Sequence, residues 1–432
     1  MVKVTINDFS RMIKKIIQNP LHLFRYGFIA SYLLAAVPFV FLIRLVSPFV
    51  LFRFHRLESD RIGPFTMNPE VYLSELDAGL HKKGDQVFLI EGMNSIVQEG
   101  KFKTIDLFYF NTKTCNKYLK KLWKRSVTTH QLFMPLDMLN KLMPGNYLKH
   151  IVPMRRYSFL DVNGILNTTK PHLIISEEER KQGESYLISK NITNEEFICI
   201  HARDSAYLEK NHKGEANWKY HSFRDTDIND MVNGLMPLVM KKKYSVFRMG
   251  AVVDKEINIS DSKVIDYAAN GDRTDFLDIY LSANCRFFVT DSAGICCVPQ
   301  AFRRPIVAVN LSQLNLLHTW DSSFVLLPRK FWLTTEKRFL KFSEILNHKI
   351  GYSCSTEEFK EHNIELIYNT IDEISEAINE MEMRLTGEWV ESESDEILQK
   401  KFWSNYGPID NIQPVIRAHI CSNFLRNNKD LL

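Results

Sequence analysis

The sequence predicts an α/β fold in two domains built on parallel sheets, and three observations carry that expectation. From residue 244 to 310, three short β-branched and aromatic runs (244–249, 286–290 and 306–309) alternate with segments of helical character. Upstream, residues 197–201 form a fully apolar strand that runs straight into His201, Ala202, Arg203 and Asp204. At 432 residues the chain is also long enough for two sizeable cores. Strand and helix in alternation mark βαβ units, and such sheets bind ligands beyond the carboxyl ends of their strands. Residues at those ends are therefore the candidates for function.

Composition narrows the class. Hydrophobic residues make up 45% and charged residues 25%, which excludes wholesale disorder. The formal charge of +4, from 55 basic and 51 acidic residues, does not suggest a nucleic-acid binder. Seven cysteines without a CxxC pair fit a reducing compartment better than a disulfide-built fold.

The chain opens with its most apolar part. Residues 26–43 hold 18 positions without a charge, near the lower limit for a spanning helix, and Pro38, Arg44 and Pro48 interrupt the apolar stretch. Before it, Ile6, Phe9, Met12, Ile13, Ile16 and Ile17 recur at helical spacing opposite Arg11, Lys14 and Lys15. That basic amphipathic pattern suits an anionic membrane face. Basic flanks on both sides give no orientation, and no small-residue cleavage site is present after the run. Residues 1–56 are expected to be a membrane-associated helical segment, monotopic or re-entrant. A single span and a buried helix pair are the alternatives.

An N-terminal α/β domain is expected over 57–182. Asn68, Pro69 and Glu70 read as a helix start, with Asn as N-cap. Residues 85–91 and 104–110 read as strands. A helix over 115–125 would turn Leu119, Leu122 and Trp123 inward and its lysines to water. Residues 150–175 read as loop, and the polar stretch 177–186 as the domain boundary.

The second domain, 183–345, carries the candidate site. Arg203 can grip a phosphate bidentately, and Asp204 and His201 are candidates for acid–base work; a plain salt bridge between loops is the bland alternative. Tyr207 comes later in the same loop. Asp225 and Asp227 form a DxD triplet, which some transferases use to hold a metal. An amphipathic helix begins there, however, so capping by Thr226 or Asp227 explains the acids without a metal. Arg248, in an apolar strand, must be paired or emerge at the sheet edge beside Gly250. Asp266 and Tyr267 end the next short strand, where a base or ribose would lie. Asp275 and Asp278 read as favourable charges at a helix start.

Residues 287–302 read as strand, small-residue turn and helix. The turn Ser292, Ala293 and Gly294 lets backbone N–H groups approach an anion, and a diphosphate is the natural occupant. No Gly-Lys-Ser/Thr comes after it and no GxGxxG is present, which disfavours ATP hydrolysis and a dinucleotide cofactor. Asn310 closes the set at the end of the last run.

These residues carry a resemblance. The runs HARDSAYL, SFRDTDI, VFRMG, VIDYA and DIYLSANCRFFVTDSAG, with LLPRKFW at 326–332 and the segment 369–385, resemble a bacterial family of glycosyltransferases associated with surface-polysaccharide genes. The similarity covers most of residues 60–390. More loosely, His201-Ala202-Arg203 is similar to the His-x-Arg strand end of fucosyltransferases with the GT-B fold, although the second Arg or Gly usual there is absent. The resemblance implies two Rossmann-like domains facing a cleft and a transferase acting from a nucleotide-diphosphate sugar.

In the tail, 346–432, Thr370 and Glu373 form a capping box ahead of an apolar helix face. It is expected to be helical and to cross back to the first domain. The whole reads as a metal-independent, cofactor-free glycosyltransferase at the cytoplasmic face of the bacterial inner membrane. Its acceptor would be a surface polysaccharide or glycolipid. A non-catalytic nucleotide-sugar-binding scaffold and a nucleotide-sugar epimerase are the competing classes.

Overall fold

The structure, a computed structural model, describes residues 21–80, 86–88, 96–98, 103–145, 147–154, 157–192, 197–204, 222–291, 293–409 and 411–432, with the backbone alone at 21–30, 32, 86–88, 96–98 and 349. The basic amphipathic pattern over 6–17, Tyr207 and Ser292 lie outside the described residues. The chain divides into two compact units. The smaller comprises Met1–Asp60, Gly79–Cys115 and Trp123–Arg155, and the larger Arg61–Ala78, Asn116–Leu122 and Arg156–Leu432.

The smaller unit begins with helix α1 (Leu21–Val46), which buries Ala36 and Val40. Among the described residues no helix is long and apolar enough to cross a membrane. Strand β1 (Val50–Leu57) comes immediately after, inside the stretch expected to be membrane-associated. It pairs in parallel with β4 (Lys103–Phe110), from Val50 opposite Lys103 to Leu57 opposite Phe110. The pairing is driven by burial of Leu51, Phe54 and Leu57, and by Arg53, which lies opposite Asp106 and donates to both its oxygens at 2.7 and 3.0 Å. A buried arginine inside an apolar strand is tolerable only with such a partner. Between them, β2 (Gln86–Phe88) and β3 (Ile96–Gln98) make an antiparallel hairpin.

In the larger unit, helix α2 (Ile62–Asp77) starts six residues before the predicted Asn68 cap and carries Pro69 inside. Pro64, in the first turn where no N–H partner is needed, marks the true start. Burial of Phe65, Met67, Val71 and Tyr72 carries the helix through Pro69. Helix α3 (Lys117–Ser126), divided between the units after Leu122, buries Leu119, Leu122 and Trp123 as the sequence predicts, and α4 (Phe133–Leu142) belongs to the smaller unit. Over the stretch 177–186, Ser176 and Glu179 form a capping box that opens α5 (Glu177–Ser189).

The core of the larger unit is a seven-stranded parallel sheet. Its strands are β5 (Phe197–His201), β6 (Ser245–Arg248), β7 (Val264–Ile265), β8 (Phe288–Thr290), β9 (Ile306–Leu311), β10 (Phe324–Pro328) and β14 (His419–Ile420). Their order is β7-β6-β5-β8-β9-β10-β14. From β5 the chain builds outward through β6 and β7, then returns to build the other way from β8. The strand order therefore reverses between β5 and β8, which is where open parallel sheets hold ligands. Helices α6 (Ile228–Lys242), α7 (Asp275–Asn284) and the five-residue α8 (Cys297–Ala301) connect these strands.

Three further strands, β11 (Lys330–Leu333), β12 (Arg338–Phe339) and β13 (Ile364–Ile367), form a separate antiparallel sheet. The tail contains α9 (Ile371–Thr386), with the predicted Thr370 capping box, then α10 (Glu393–Trp403) and α11 (Ser422–Asn427). It is not helical throughout, since β14 completes the edge of the sheet beside β10.

Candidate functional site

The carboxyl end of β5 delivers Arg203 to the point where strand order reverses. Its backbone N–H donates to Asp291 Oδ2 at 2.8 Å, which ties the loop after β5 to the loop after β8. Burial pushes the Asp291 carboxyl up to about 6, against the opposing pull of that N–H bond. The Arg203 guanidinium pairs with Asp225, and the Thr226 N–H donates to the Arg203 carbonyl. Both members of the DxD triplet are thus engaged: Asp225 holds Arg203, while Asp227 caps α6 through the Asn229 N–H and pairs with Lys255 at 2.6 Å.

Beside these groups lies a cavity of about 380 Å³, large enough for part of a small ligand. The β5 loop contributes Ala202, Arg203 and Asp204, the start of α6 contributes residues 225–228 and Asp230, and the far wall is Arg248, Asp254, Lys255 and Tyr368. Asp204 accepts the Asp254 N–H at 3.1 Å. Arg248 is buried at the end of β6, with one nitrogen 3.0 and 3.1 Å from the two Asp266 oxygens and another donating to the Lys255 carbonyl. Arg248 is therefore both ion-paired and at the sheet edge, and Asp266 is spent in holding it.

His201 sits lower in the same strand end. Burial, reinforced by the charges of Arg248 and Arg203, lowers its pKa to about 3, so it is neutral near pH 7. Its buried Nδ1 makes no hydrogen bond.

Three predicted site residues are directed elsewhere. Tyr267 is fully buried, and its hydroxyl lies 3.1 Å from Asp278 Oδ1 and 3.2 Å from the Thr274 carbonyl, the two acceptors open to its one proton. Asp278 is accordingly a buried partner of Tyr267 and Arg273, and the N-cap of α7 is Thr274. Asn310 has a positive φ of 54° and exchanges hydrogen bonds with Asn369: each backbone N–H donates to the other's side-chain oxygen, at 2.7 and 2.8 Å. This clamp fixes the chain just after Tyr368 to the edge of the sheet. Gly250, at φ 155°, takes the turn after β6, where a Cβ would come within 2.7 Å of Val253.

In the turn after β8, Ala293 is buried and Gly294 faces the first turn of α2. A Cβ on Gly63 would stand 3.2 Å from the Gly294 Cα, so paired glycines let helix and turn meet backbone to backbone. The glycine is explained by this close approach, and the amino end of α2 adds positive partial charge beside the turn.

One residue escaped sequence reasoning. Arg329 comes directly after β10, is 1% exposed, and donates to the carbonyls of Phe223 and Asp225 at 2.7 and 3.1 Å. Its guanidinium also lies 4.0 Å from the ring centre of Tyr368, whose side chain is 49% exposed. The signal was present: FVLLP followed by Arg repeats the pattern of FICIH followed by Ala202-Arg203, and of Arg248 ending β6. Three apolar strands thus end in arginines that converge on one edge. Among the described residues, no group of three or more His, Cys, Asp or Glu could hold a metal ion.

No protein-family model matches the sequence, and no curated protein matches it. Solved structures that align with the chain include two glycosyltransferases. The crystal structure of a glycosyl transferase family 9 protein from Veillonella parvula is 11% identical, with a TM-score of 0.42 over 78% of this chain and 97% of that one. The ADP-heptose LPS heptosyltransferase II of E. coli is 12% identical, with a TM-score of 0.32 over 60% of this chain and 84% of that one. Likeness at these scores carries no argument, so function must rest on the site.

Proposed function

We propose that the chain is a glycosyltransferase whose larger unit binds a nucleotide-diphosphate sugar. The observation that carries this is the reversal of strand order between β5 and β8, with Arg203 and Asp291 joined across it and the cavity opening beside them. The cavity lining favours a hydroxyl-rich, aromatic occupant over a bare phosphate. Asp230 and Asp254 line the cavity and could accept ribose hydroxyls, and Tyr368 offers a ring face for a base. The diphosphate would lie at Arg203 and the turn at Ala293 and Gly294, beside the amino end of α2.

In the transfer, an acceptor hydroxyl oxygen bonds to the anomeric carbon as the bond from that carbon to the diphosphate oxygen breaks. The nucleoside diphosphate leaves with the electron pair, and the hydroxyl proton passes to a base. Fixed positive charge at Arg203 stabilises the leaving group without a metal. Asp204 is the proposed base; His201, neutral and deeply set, is too weak a base to be preferred. A surface polysaccharide or glycolipid is the proposed acceptor, and the cytoplasmic face of a bacterial inner membrane the proposed location.

Thermal-shift titration with UDP-, GDP-, dTDP- and CMP-sugars tests the donor site. At least one should stabilise the protein, and Arg203→Ala should weaken it by roughly 10- to 100-fold. Silence across the panel overturns the proposal. Slow release of free nucleoside diphosphate from the bound donor separates a transferase from a binding scaffold.

A further inference from the structure

We infer that the smaller unit docks on an anionic lipid surface through the outer face of α1, from one side and without spanning it. Leu34, Phe39, Phe41, Leu42, Leu45 and Phe49 are all exposed, with Leu34, Leu45 and Phe49 at 72%, 74% and 77%. At roughly 100° per residue, the helical members of this set share one arc, opposite the buried Ala36 and Val40. No charged residue lies on that arc. Arg44, the one charge in residues 26–52, is turned the other way, onto Asn140 Oδ1 and the carbonyls of Asn140, Met143 and Pro144 at the end of α4. A contiguous exposed apolar surface of this kind marks an interaction face.

The charge beside that face names its occupant. Lys149 donates to the Ser47 hydroxyl at 2.8 Å, between Leu45 and Phe49 in the chain. Among the described residues neither Arg44 nor Lys149 has a carboxylate partner. Lys149 therefore brings a cation without a carboxylate partner to the end of α1, and the sequence adds Arg11, Lys14, Lys15 and Arg25 before it. Apolar side chains with a cationic border match the acyl and headgroup layers of an anionic membrane. One-sided docking needs no helix able to cross the bilayer, and the inference stands apart from the transferase proposal.

The test is co-flotation of the full chain with vesicles of phosphatidylethanolamine and phosphatidylglycerol, against vesicles of phosphatidylcholine. The protein should float with the anionic vesicles. Leu45→Glu with Phe49→Glu should lower partitioning about tenfold or more, and Lys149→Glu about fivefold on anionic vesicles only. The conservative pair Leu45→Phe with Phe49→Leu should float like the parent, which keeps the question decidable if the charged pair fails to fold. Unchanged flotation of a folded charged pair overturns the inference. So does a parent that is dimeric, becomes monomeric with these changes and never binds vesicles, since the face would then be an interface between copies. Donor thermal shift on the same preparations keeps the two proposals separately testable.

Discussion

Arg329 and Arg44 are held by the same device in two unlike places. Each guanidinium donates to backbone carbonyls, those of Phe223 and Asp225 for Arg329 and those of Asn140 and Met143 for Arg44. Around Arg329 stand Asp225 and Asp291, so carboxylates share its surroundings inside the sheet edge, and the arginine fixes a loop beside a polar cavity. Around Arg44 stand Lys149 and exposed leucines and phenylalanines, so charge is left over at an apolar surface. An arginine on carbonyls thus says little about function by itself. The charges and the exposure surrounding it decide whether the region suits a hydroxyl-rich ligand or a lipid.

The comparison can be broken from either side. Arg329→Ala removes a buried cation, strands two carbonyls and leaves Asp225 and Asp291 less compensated. Urea denaturation should show a loss of about 3–5 kcal/mol. Arg44→Ala, at a half-buried site, should cost less, about 1–2 kcal/mol, in the same measurement. A loss as large as that of Arg329→Ala would erase the distinction drawn between the two regions.

His201 sharpens the sheet-edge side through pH. Its folded pKa lies near 3, below the usual value of 6.5, so the unfolded chain binds the proton more readily. Stability is fully present above pH 6.5 and falls as pH drops toward 3, by at most about 1.4 kcal/mol per pH unit from this one group. His201→Gln should flatten the fall in thermal midpoint below pH 6.5; an unchanged slope would remove His201 as its source. The smallest effect belongs to Asp227→Ala, which gives up the α6 cap and the Lys255 pair for about 1 kcal/mol. If Asp227→Ala abolished donor binding while leaving stability intact, the aspartate would be acting on ligand rather than as a cap.

Much of the larger unit was legible because its signals are local. The apolar run 197–201, the alternation from 244 to 310 and the Thr370 capping box each depend on neighbours in sequence. The parts that were not legible depend on distant partners. Asn310 is an ordinary strand-end residue until Asn369, 59 positions later, meets it. The close approach of Gly63 to Gly294 joins residues 231 positions apart, which no local pattern announces. Arg329 needs carbonyls 104 and 106 positions away. In the smaller unit, β1 was hidden because hydrophobicity alone does not separate a membrane segment from a strand. Its partner Asp106, 53 positions on, makes the difference.

The placing of β14 has a consequence for the order of folding. Strand β10 meets β14 at Val325 opposite His419, and the Cys421 N–H donates to the Leu326 carbonyl. Until residues near 420 leave the ribosome, β10 is an open edge of an otherwise built parallel sheet, with Phe324, Val325 and Leu326 available to any passing strand. Closing it requires a contact across some 94 positions, which is slow on the scale of local helix formation. A chain stopped at Glu391 should therefore accumulate in the insoluble fraction during synthesis, even though every residue of the candidate site has already been made.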